Sequence, residues 1–361
     1  METYFTFNNL YKAYLDCRKR KIKTLNHLRF FENLEENLLE LEKELQTRTY
    51  RPGQSIVFIV DKPKVREIFA AGFRDRVVHH LLYNYMSPKF ERIFIYDSWA
   101  CRKGKGTHRA VTRLQDFTAK TQRLSEGQQF YLKMDIKSYF TTIDQSILYS
   151  MIAKKIKSDE ILWLTRTIVF HDCARDIPPK VQGRQALFDK LPKDKSLFTV
   201  PRGRGLPIGN LTSQFFANIY LNELDQFVKH ELGVKFYLRY VDDFLIIGKS
   251  QPDLISIKDE INKFVTGRLG LVAHPKKQFI RPIRDGIDFL GYIIRPEYLL
   301  VRKRIVGDWR YKMKTLAINN PSRGLKVMAS YEAHAQLGNC HYLTAKNRVA
   351  WLSLCAKISD L

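Results

Sequence analysis

Residues Tyr240-Val241-Asp242-Asp243 constrain this chain more than any other stretch. Two adjacent carboxylates stand between two apolar runs, Phe236-Tyr237-Leu238-Arg239-Tyr240 and Phe244-Leu245-Ile246-Ile247. Both runs are rich in aromatic and β-branched residues, so they read as the strands of a hairpin with acids at its turn. Asp-Asp is also ordinary turn chemistry, because Asp tolerates tight turns and bonds its own backbone. A second acidic site weighs against the plain turn. In Leu132-Lys133-Met134-Asp135-Ile136-Lys137-Ser138-Tyr139-Phe140 an apolar strand is again interrupted by one carboxylate. A two-ion site needs carboxylates from different strands to converge, with the ions about 3.5–4 Å apart. Magnesium keeps only one or two protein carboxylates and fills its shell with water and substrate phosphates. One Asp on a strand and an Asp pair on a neighbouring hairpin meet that need, and the long separation in sequence is no obstacle to spatial pairing.

A partner for such a site follows from charge. The formal net charge of +24 points to a polyanion, although charge can also serve solubility or binding to acidic lipid. The 18 Tyr and 23 Phe favour nucleic acid, since aromatic rings give bases a stacking platform. No apolar run approaches the ~20 residues of a membrane span, so no membrane partner is expected. The N-terminus lacks the basic-then-apolar form of a signal peptide. Five scattered cysteines, with no C-x-x-C pair, argue for a reducing compartment and against a zinc or disulfide framework. His171 and Cys173 are close neighbours, but two residues make no metal site.

The periodicities predict an α+β chain. Residues 1–50 read as helical, with Leu10, Tyr11, Tyr14 and Leu15 at helical spacing, a basic run Arg18-Lys19-Arg20-Lys21, and a stripe of Leu34, Leu38, Leu41 and Leu45. Arg51-Pro52-Gly53 is expected to end that region. Ile56–Val60 reads as a strand, and Lys62–Ile68 as a basic turn and strand. A helix spans Arg74–Tyr85, with Arg74 and Arg76 as structural or template contacts. The basic glycine loop Ala100–His108 leads into a helix near Arg109–Phe117 and could contact a phosphate backbone. Residues 171–204 show little periodicity and read as a long exposed insertion. A turn at Gly205–Asn210 precedes a helix at Leu211–Lys229 that buries Phe215, Phe216, Ile219, Tyr220 and Leu224. After the hairpin come a helix over 252–268, the segment His274-Pro275-Lys276-Lys277, a strand pair at Phe289-Leu290-Gly291-Tyr292, and a basic helical end. Exposed basic helices such as 11–23 could contact RNA or a protein partner.

These features, in this order over roughly residues 55 to 295, resemble reverse transcriptases. The matching residues are Asp135 with an aromatic five residues on, Gly205-Leu206-Pro207-Ile208-Gly209-Asn210, Tyr240-Val241-Asp242-Asp243, the lysine segment and Phe289-Leu290-Gly291-Tyr292. Ile208-Gly209-Asn210-Leu211-Thr212-Ser213-Gln214 is similar to the reverse transcriptases of diversity-generating retroelements. Lys62–Arg66, Ala100-Cys101-Arg102, Lys105-Gly106-Thr107-His108 and His334-Ala335-Gln336 look like the same subfamily. Group II intron and retron enzymes usually carry Gln where Ile208 stands and Pro where Gln214 stands. The 171–204 insertion departs from the pattern.

The resemblance implies a right-hand polymerase fold with fingers, a palm holding an antiparallel sheet, and a short helical thumb. N-terminal helices and fingers would occupy 1–130. The palm would occupy 131–297, interrupted by a finger segment and insertion at about 145–205, and the thumb 298–361, with no room for an RNase H, maturase or endonuclease domain. It implies RNA-directed DNA synthesis with two Mg2+ ions and dNTP substrates. Asp135, Asp242 and the backbone carbonyl of Ile136 would hold metal, with Asp243 in electrostatic support. Lys64 and Arg66 would grip the triphosphate, or are solvated charges on a strand edge. Phe140 would be the steric gate against ribose, or a core residue; Tyr139, pointing the other way along a strand, is the poorer candidate. Ile208 stands where relatives hold a hydrogen-bonding Gln beside the template–nucleotide pair. An apolar residue there implies error-prone copying at template adenines, or is simply a packing residue. Lys277, or Lys276, would protonate the pyrophosphate, or is surface charge. Phe289, Leu290, Gly291 and Tyr292 would form the primer grip.

In that subfamily the template is a repeat within an element-encoded RNA, and the mutated cDNA replaces a variable region of a target gene. Template RNA, the RNA/cDNA duplex and a small basic pentameric accessory protein are the implied partners, in the cytoplasm of a bacterial cell. The alternatives are an accurate reverse transcriptase of another bacterial lineage and a non-catalytic RNA-binding protein.

Overall fold

The structure, a computed structural model, describes residues 3–19, 24–124 and 127–359. Three helices open the chain: α1 (Phe7–Arg18), α2 (Leu25–Glu32) and α3 (Leu34–Gln46). Thr6 and Thr24 cap the first two through their hydroxyl oxygens. Leu38, Leu41 and Leu45 are buried as their spacing requires, and Leu10 and Tyr14 face the core while Tyr11 and Leu15 do not. Helix α3 stops at Gln46, before the expected Arg51-Pro52-Gly53, because Arg48 adopts the left-handed conformation (φ 59°). Arg20 and Lys21 of the basic run lie outside the described residues, as do Ile22 and Lys23.

Strands β1 (Ile56–Val60) and β2 (Arg66–Ala70) pair antiparallel; helix α4 (Phe73–Glu91) and helix α5 (Thr107–Leu124) follow. Strand β3 (Phe130–Asp135) leads to the short helix α6 (Tyr139–Thr142), then α7 (Gln145–Ala153) and α8 (Asp159–Val169). The strand expected to run on to Phe140 therefore ends at Asp135. Ser138 takes the left-handed conformation (φ 48°) and turns the chain into α6, so strand alternation does not govern Tyr139. Its ring is buried, and its hydroxyl donates to the Ala217 carbonyl at 2.6 Å.

The 171–204 segment is only partly an exposed insertion. Strand β4 (Lys180–Val181) joins β1 in parallel, a short helix α9 (Gln185–Phe188) follows, and Cys173, Ala174 and Leu197 pack with Val57 and Phe69 in a small core. Helix α10 (Leu211–Gln226) buries all five residues its pattern assigned inward. Strands β5 (Tyr237–Tyr240) and β6 (Asp243–Gly248) form the hairpin, and α11 (Gln251–Leu269) ends at Gly270. Strand β7 (Phe279–Pro282) completes a four-stranded antiparallel sheet of order β5-β6-β3-β7. Strands β8 (Ile287–Phe289), β9 (Tyr292–Ile294) and β10 (Leu299–Val301) make a third sheet, beside that of β2-β1-β4 and the four-stranded one, and α12 (Lys303–Asn319), α13 (Pro321–Ala335) and α14 (His341–Ser359) follow.

The central sheet has an apolar layer on each face. Leu132, Met134, Phe244 and Ile246 join the large core of α4, α7, α8, α10 and α11. Their alternate neighbours Tyr131, Leu245 and Ile247 join a second core with α5, the β8–β10 sheet and the C-terminal helices. Asp135, Asp243 and Lys133 share the second face by the same alternation. No helix among the described residues is long and apolar enough to cross a membrane.

Candidate functional site

Asp135 ends β3 directly opposite Asp243, the first residue of β6. Val241 and Asp242 form the turn. Val241 sits at φ 58°, a conformation costly for a β-branched residue and typical of functional turns. The turn is anchored to the neighbouring strand, since the Ile136 N–H donates to the Asp242 carbonyl at 3.3 Å.

Two lysines face the acids. Lys277 Nζ lies 2.8 Å from Asp135 Oδ2, and Lys133 Nζ lies 3.1 Å from Asp243 Oδ2. The site remains short of positive charge. Burial and the Asp135 carboxylate push the Asp242 carboxyl up to about 6. Burial also raises Asp243, against the pull of Lys133. Asp243 Oδ1 is buried without a hydrogen-bond partner among the described residues. Such a donor set suits a divalent cation, which would offset the mutual repulsion of the carboxylates. No three His, Cys, Asp or Glu side chains among the described residues gather to hold an ion by themselves. Magnesium bound partly by substrate phosphates needs no such cluster.

Arg239 holds the turn from behind, a role its place in an apolar strand did not disclose. It is fully buried and pairs in two-pronged fashion with Asp225 of α10, at 2.7 and 2.6 Å. The same guanidinium donates to the Val241 carbonyl at 2.9 Å and to Ser98 Oγ at 3.1 Å. The signal in the sequence is a charge where the strand should be apolar, and its buried partner Asp225 lies on α10.

Lys64 lies exposed in the bend between β1 and β2, within electrostatic reach of Asp135 and Asp242, and Arg66 is exposed at the start of β2. Partial burial and the nearby Lys277 charge lower the Lys64 amine, while Asp135 and Asp242 pull the other way. Phe140 is half-buried on α6 rather than on a strand. Ile208 is half-buried, and its carbonyl accepts from the Phe69 N–H at 2.8 Å, which lays the 205–210 loop along β2. Gly209 (φ 131°) is required there, because a Cβ would stand 2.5 Å from the Phe69 carbonyl oxygen. Phe289 and Tyr292 are buried in the β8–β10 sheet, with Leu290 and Gly291 in the left-handed turn between them. That sheet is tied to the acidic site by Lys133, whose amine also donates to the Asp288 carbonyl at 2.9 Å.

The basic glycine loop is used internally. Lys105 Nζ donates to the Tyr96 carbonyl and lies 3.5 Å from the Tyr96 ring centre. Thr107 Oγ1 meets the Tyr240 hydroxyl at 3.1 Å. Of the two arginines at the start of α4, Arg74 pairs with Glu44 and Arg76 Nε donates to the Ala71 carbonyl.

The profile of the family described as reverse transcriptase (RNA-dependent DNA polymerase) matches residues 60–294, well over half of the chain. The chain belongs to the reverse transcriptase family. Its α+β architecture is the family's right-hand polymerase fold, as the motifs implied. This reverse transcriptase is 24% identical over 305 residues to Protein YkfC of Escherichia coli (strain K12), covering 73% of the chain and 71% of that protein. It is 22% identical over 327 residues to the group II intron-encoded protein LtrA of Lactococcus lactis subsp. cremoris. That match covers 72% of the chain and 50% of LtrA, so the chain spans half of LtrA's length. A solved structure of apo telomerase from Candida Tropicalis is 11% identical, with a TM-score of 0.49 over 84% of this chain and 61% of that one.

Proposed function

We propose that this reverse transcriptase is an RNA-directed DNA polymerase that copies a template-repeat RNA of a diversity-generating retroelement, with errors at template adenines. The observation that carries the polymerase reading is the convergence of Asp135 and Asp242 in a half-buried, positively undercompensated site near Lys64 and Lys277.

Asp135, Asp242 and the Ile136 carbonyl would hold magnesium, which supplies charge neutralisation for the primer hydroxyl and the triphosphate. Asp243, fixed by Lys133, keeps the field at that point negative. Lys64 and Arg66 bind the triphosphate of a dNTP from the finger sheet. Lys277 hands a proton to departing pyrophosphate, leaving its contact with Asp135 to do so. Phe140 packs beneath the sugar and disfavours a ribose hydroxyl. Phe289, Leu290, Gly291 and Tyr292 hold the primer strand. Residues 1–130 serve as N-terminal helices and fingers, 131–297 as the palm with the interruption at about 145–205, and 298–361 as the thumb.

The subfamily reading rests on Ile208-Gly209-Asn210-Leu211-Thr212-Ser213-Gln214 and on the unusual apolar residue within it. Ile208 offers no side-chain hydrogen bond to the template–nucleotide pair, so discrimination there falls to shape alone. Template RNA, the RNA/cDNA duplex and a small basic pentameric accessory protein are the proposed partners, in a bacterial cytoplasm. The similarity to LtrA favours a second reading, an accurate polymerase of an intron-related lineage.

The deciding experiment is cDNA synthesis on an adenine-containing RNA, with and without the accessory protein, followed by sequencing of the products. Errors concentrated at adenines, and reduced severalfold in Ile208→Gln, are expected. Accurate copying by the unmodified chain would overturn the subfamily reading and leave an accurate reverse transcriptase of another bacterial lineage, such as an intron-related one. No synthesis in either condition would leave a binding protein.

A further inference from the structure

Part of the 171–204 segment is placed between two proposed elements of the nucleotide site. The 3-10 turn Lys193–Lys195, with Ser196 and Leu197, lies between strand β2 and the turn that follows β3. On the β3 side, Ser138 Oγ donates to Asp194 Oδ2 at 2.7 Å, and Thr141 Oγ1 donates to the Asp194 carbonyl at 2.8 Å. On the β2 side, Glu67 receives Ser196 Oγ–H on one oxygen and the Leu197 N–H on the other, both at 2.8 Å.

Glu67 is only 4% exposed, and burial raises its carboxyl against those two donors. A buried carboxylate loses much of its compensation if its donors leave, so the segment stays docked or β2 rearranges. Leu197 adds shape to the join. Gly205 (φ 88°) makes room for it, because a Cβ there would come within 2.6 Å of Leu197 Cδ2. The chain around Gly205 is tied to the same turn: the Leu206 N–H donates to the Phe140 carbonyl at 2.7 Å.

Both ends of this join adjoin proposed nucleotide contacts. Glu67 follows Arg66, and Ser138 lies between Asp135 and Phe140 in the left-handed conformation that starts α6. We infer that Lys193–Leu197 is a strut that sets the spacing between the Arg66 strand and the Asp135–Phe140 turn, and thereby positions the incoming nucleoside triphosphate. The inference rests on the polymerase reading. Asp194 and Glu67 are positioning residues, since both act through neighbours.

The test uses the full chain, a DNA primer annealed to an RNA template, and single dNTP incorporation with magnesium. Asp194→Ala and Ser138→Ala are expected to raise the dNTP KM about five- to tenfold, the scale of one or two lost hydrogen bonds. The Kd for primer–template stays within about twofold of the unmodified chain. Asp194→Asn, which keeps an oxygen acceptor for Ser138, restores the dNTP KM. Amide hydrogen exchange in residues 64–70 accelerates in Asp194→Ala, although the lost contact is on the β3 side. An unchanged KM with unchanged exchange in 64–70 overturns the strut. Equal losses in dNTP KM, primer–template Kd and Tm also overturn it, leaving a packing role. If the unmodified chain extends no primer, the polymerase reading falls, and exchange in 64–70 alone decides whether the segment couples the two elements.

Discussion

Two acidic sites share the β5–β6 hairpin, one fully buried and one half-buried, and differ in how completely they are neutralised. Behind the hairpin, Asp225 meets the Arg239 guanidinium through two hydrogen bonds and accepts a third from the Tyr237 hydroxyl at 2.7 Å. In front, Asp135, Asp242 and Asp243 share two lysines; Asp242 is pushed up to about 6, and one oxygen of Asp243 has no hydrogen-bond partner among the described residues. The rear site is closed and fixes geometry, because breaking a buried pair leaves a charge uncompensated. The front site holds an excess of negative charge at a cost in stability, which a divalent cation would relieve. Arg239 links them, since it neutralises Asp225 and also holds the Val241 carbonyl of the front turn.

The largest contrast is between activity and stability in the front site. Asp242→Asn should lower primer extension by roughly 10³-fold or more, the scale of removing one strong electrostatic element from a catalytic site. The same variant should melt no lower than the unmodified chain. A variant that extends primers normally would remove Asp242 from the chemistry and collapse the distinction.

The rear site should respond in the opposite way. Asp225→Ala strands a buried guanidinium and is expected to cost about 3–5 kcal/mol in urea unfolding. Replacing both partners, as Asp225→Leu with Arg239→Met, should recover most of that stability, because well-packed apolar substitutes often match a buried ion pair. Extension should stay impaired in the double variant, since nothing then holds the Val241 carbonyl. Full activity there would show that the rear pair serves stability alone.

The smallest effect sharpens the electrostatic difference. Asp242 ionises later in the folded chain than its ordinary value of 3.8, so the folded state keeps its proton longer. Its contribution to stability is therefore lost as pH rises from about 4 through about 6. With chelator present, stability of the unmodified chain relative to Asp242→Asn should fall by about 2–3 kcal/mol across that window, the free-energy equivalent of that delay in ionisation. Urea unfolding of both chains at matched pH measures it. A flat difference would mean the front acids are as well compensated as the rear one.

Much of this was legible from residue order. The hairpin strands, helix α10 with its five inward residues, and the stripe in α3 follow from apolar periodicity, which local geometry obeys directly. The convergence of Asp135 with the Asp242-Asp243 hairpin follows from polar residues interrupting apolar strands; that Asp243 is the residue directly opposite Asp135 is a matter of register. Other features were not legible. The end of β3 at Asp135 depends on the left-handed Ser138, which its neighbours do not signal, so the apolar pattern through Tyr139 suggests a strand that Tyr139 does not join. The 171–204 segment has no period, and its packing arises from contacts with β1, β2 and α6 that lie far away in sequence.

The sequence by itself determined most of the elements, the acids and the family, because periodicity and motif order are properties of the chain read linearly. Only the tertiary structure decided which charges neutralise which. Lys277 and Lys133 took their acids, Arg239 took Asp225 and the Val241 carbonyl, and Glu67 took the backbone of a segment 130 residues later. The physical reason is range: a strand or helix is set by neighbours a few residues apart. An ion pair or buried hydrogen bond acts over a few ångströms of space, whatever length of chain lies between the partners.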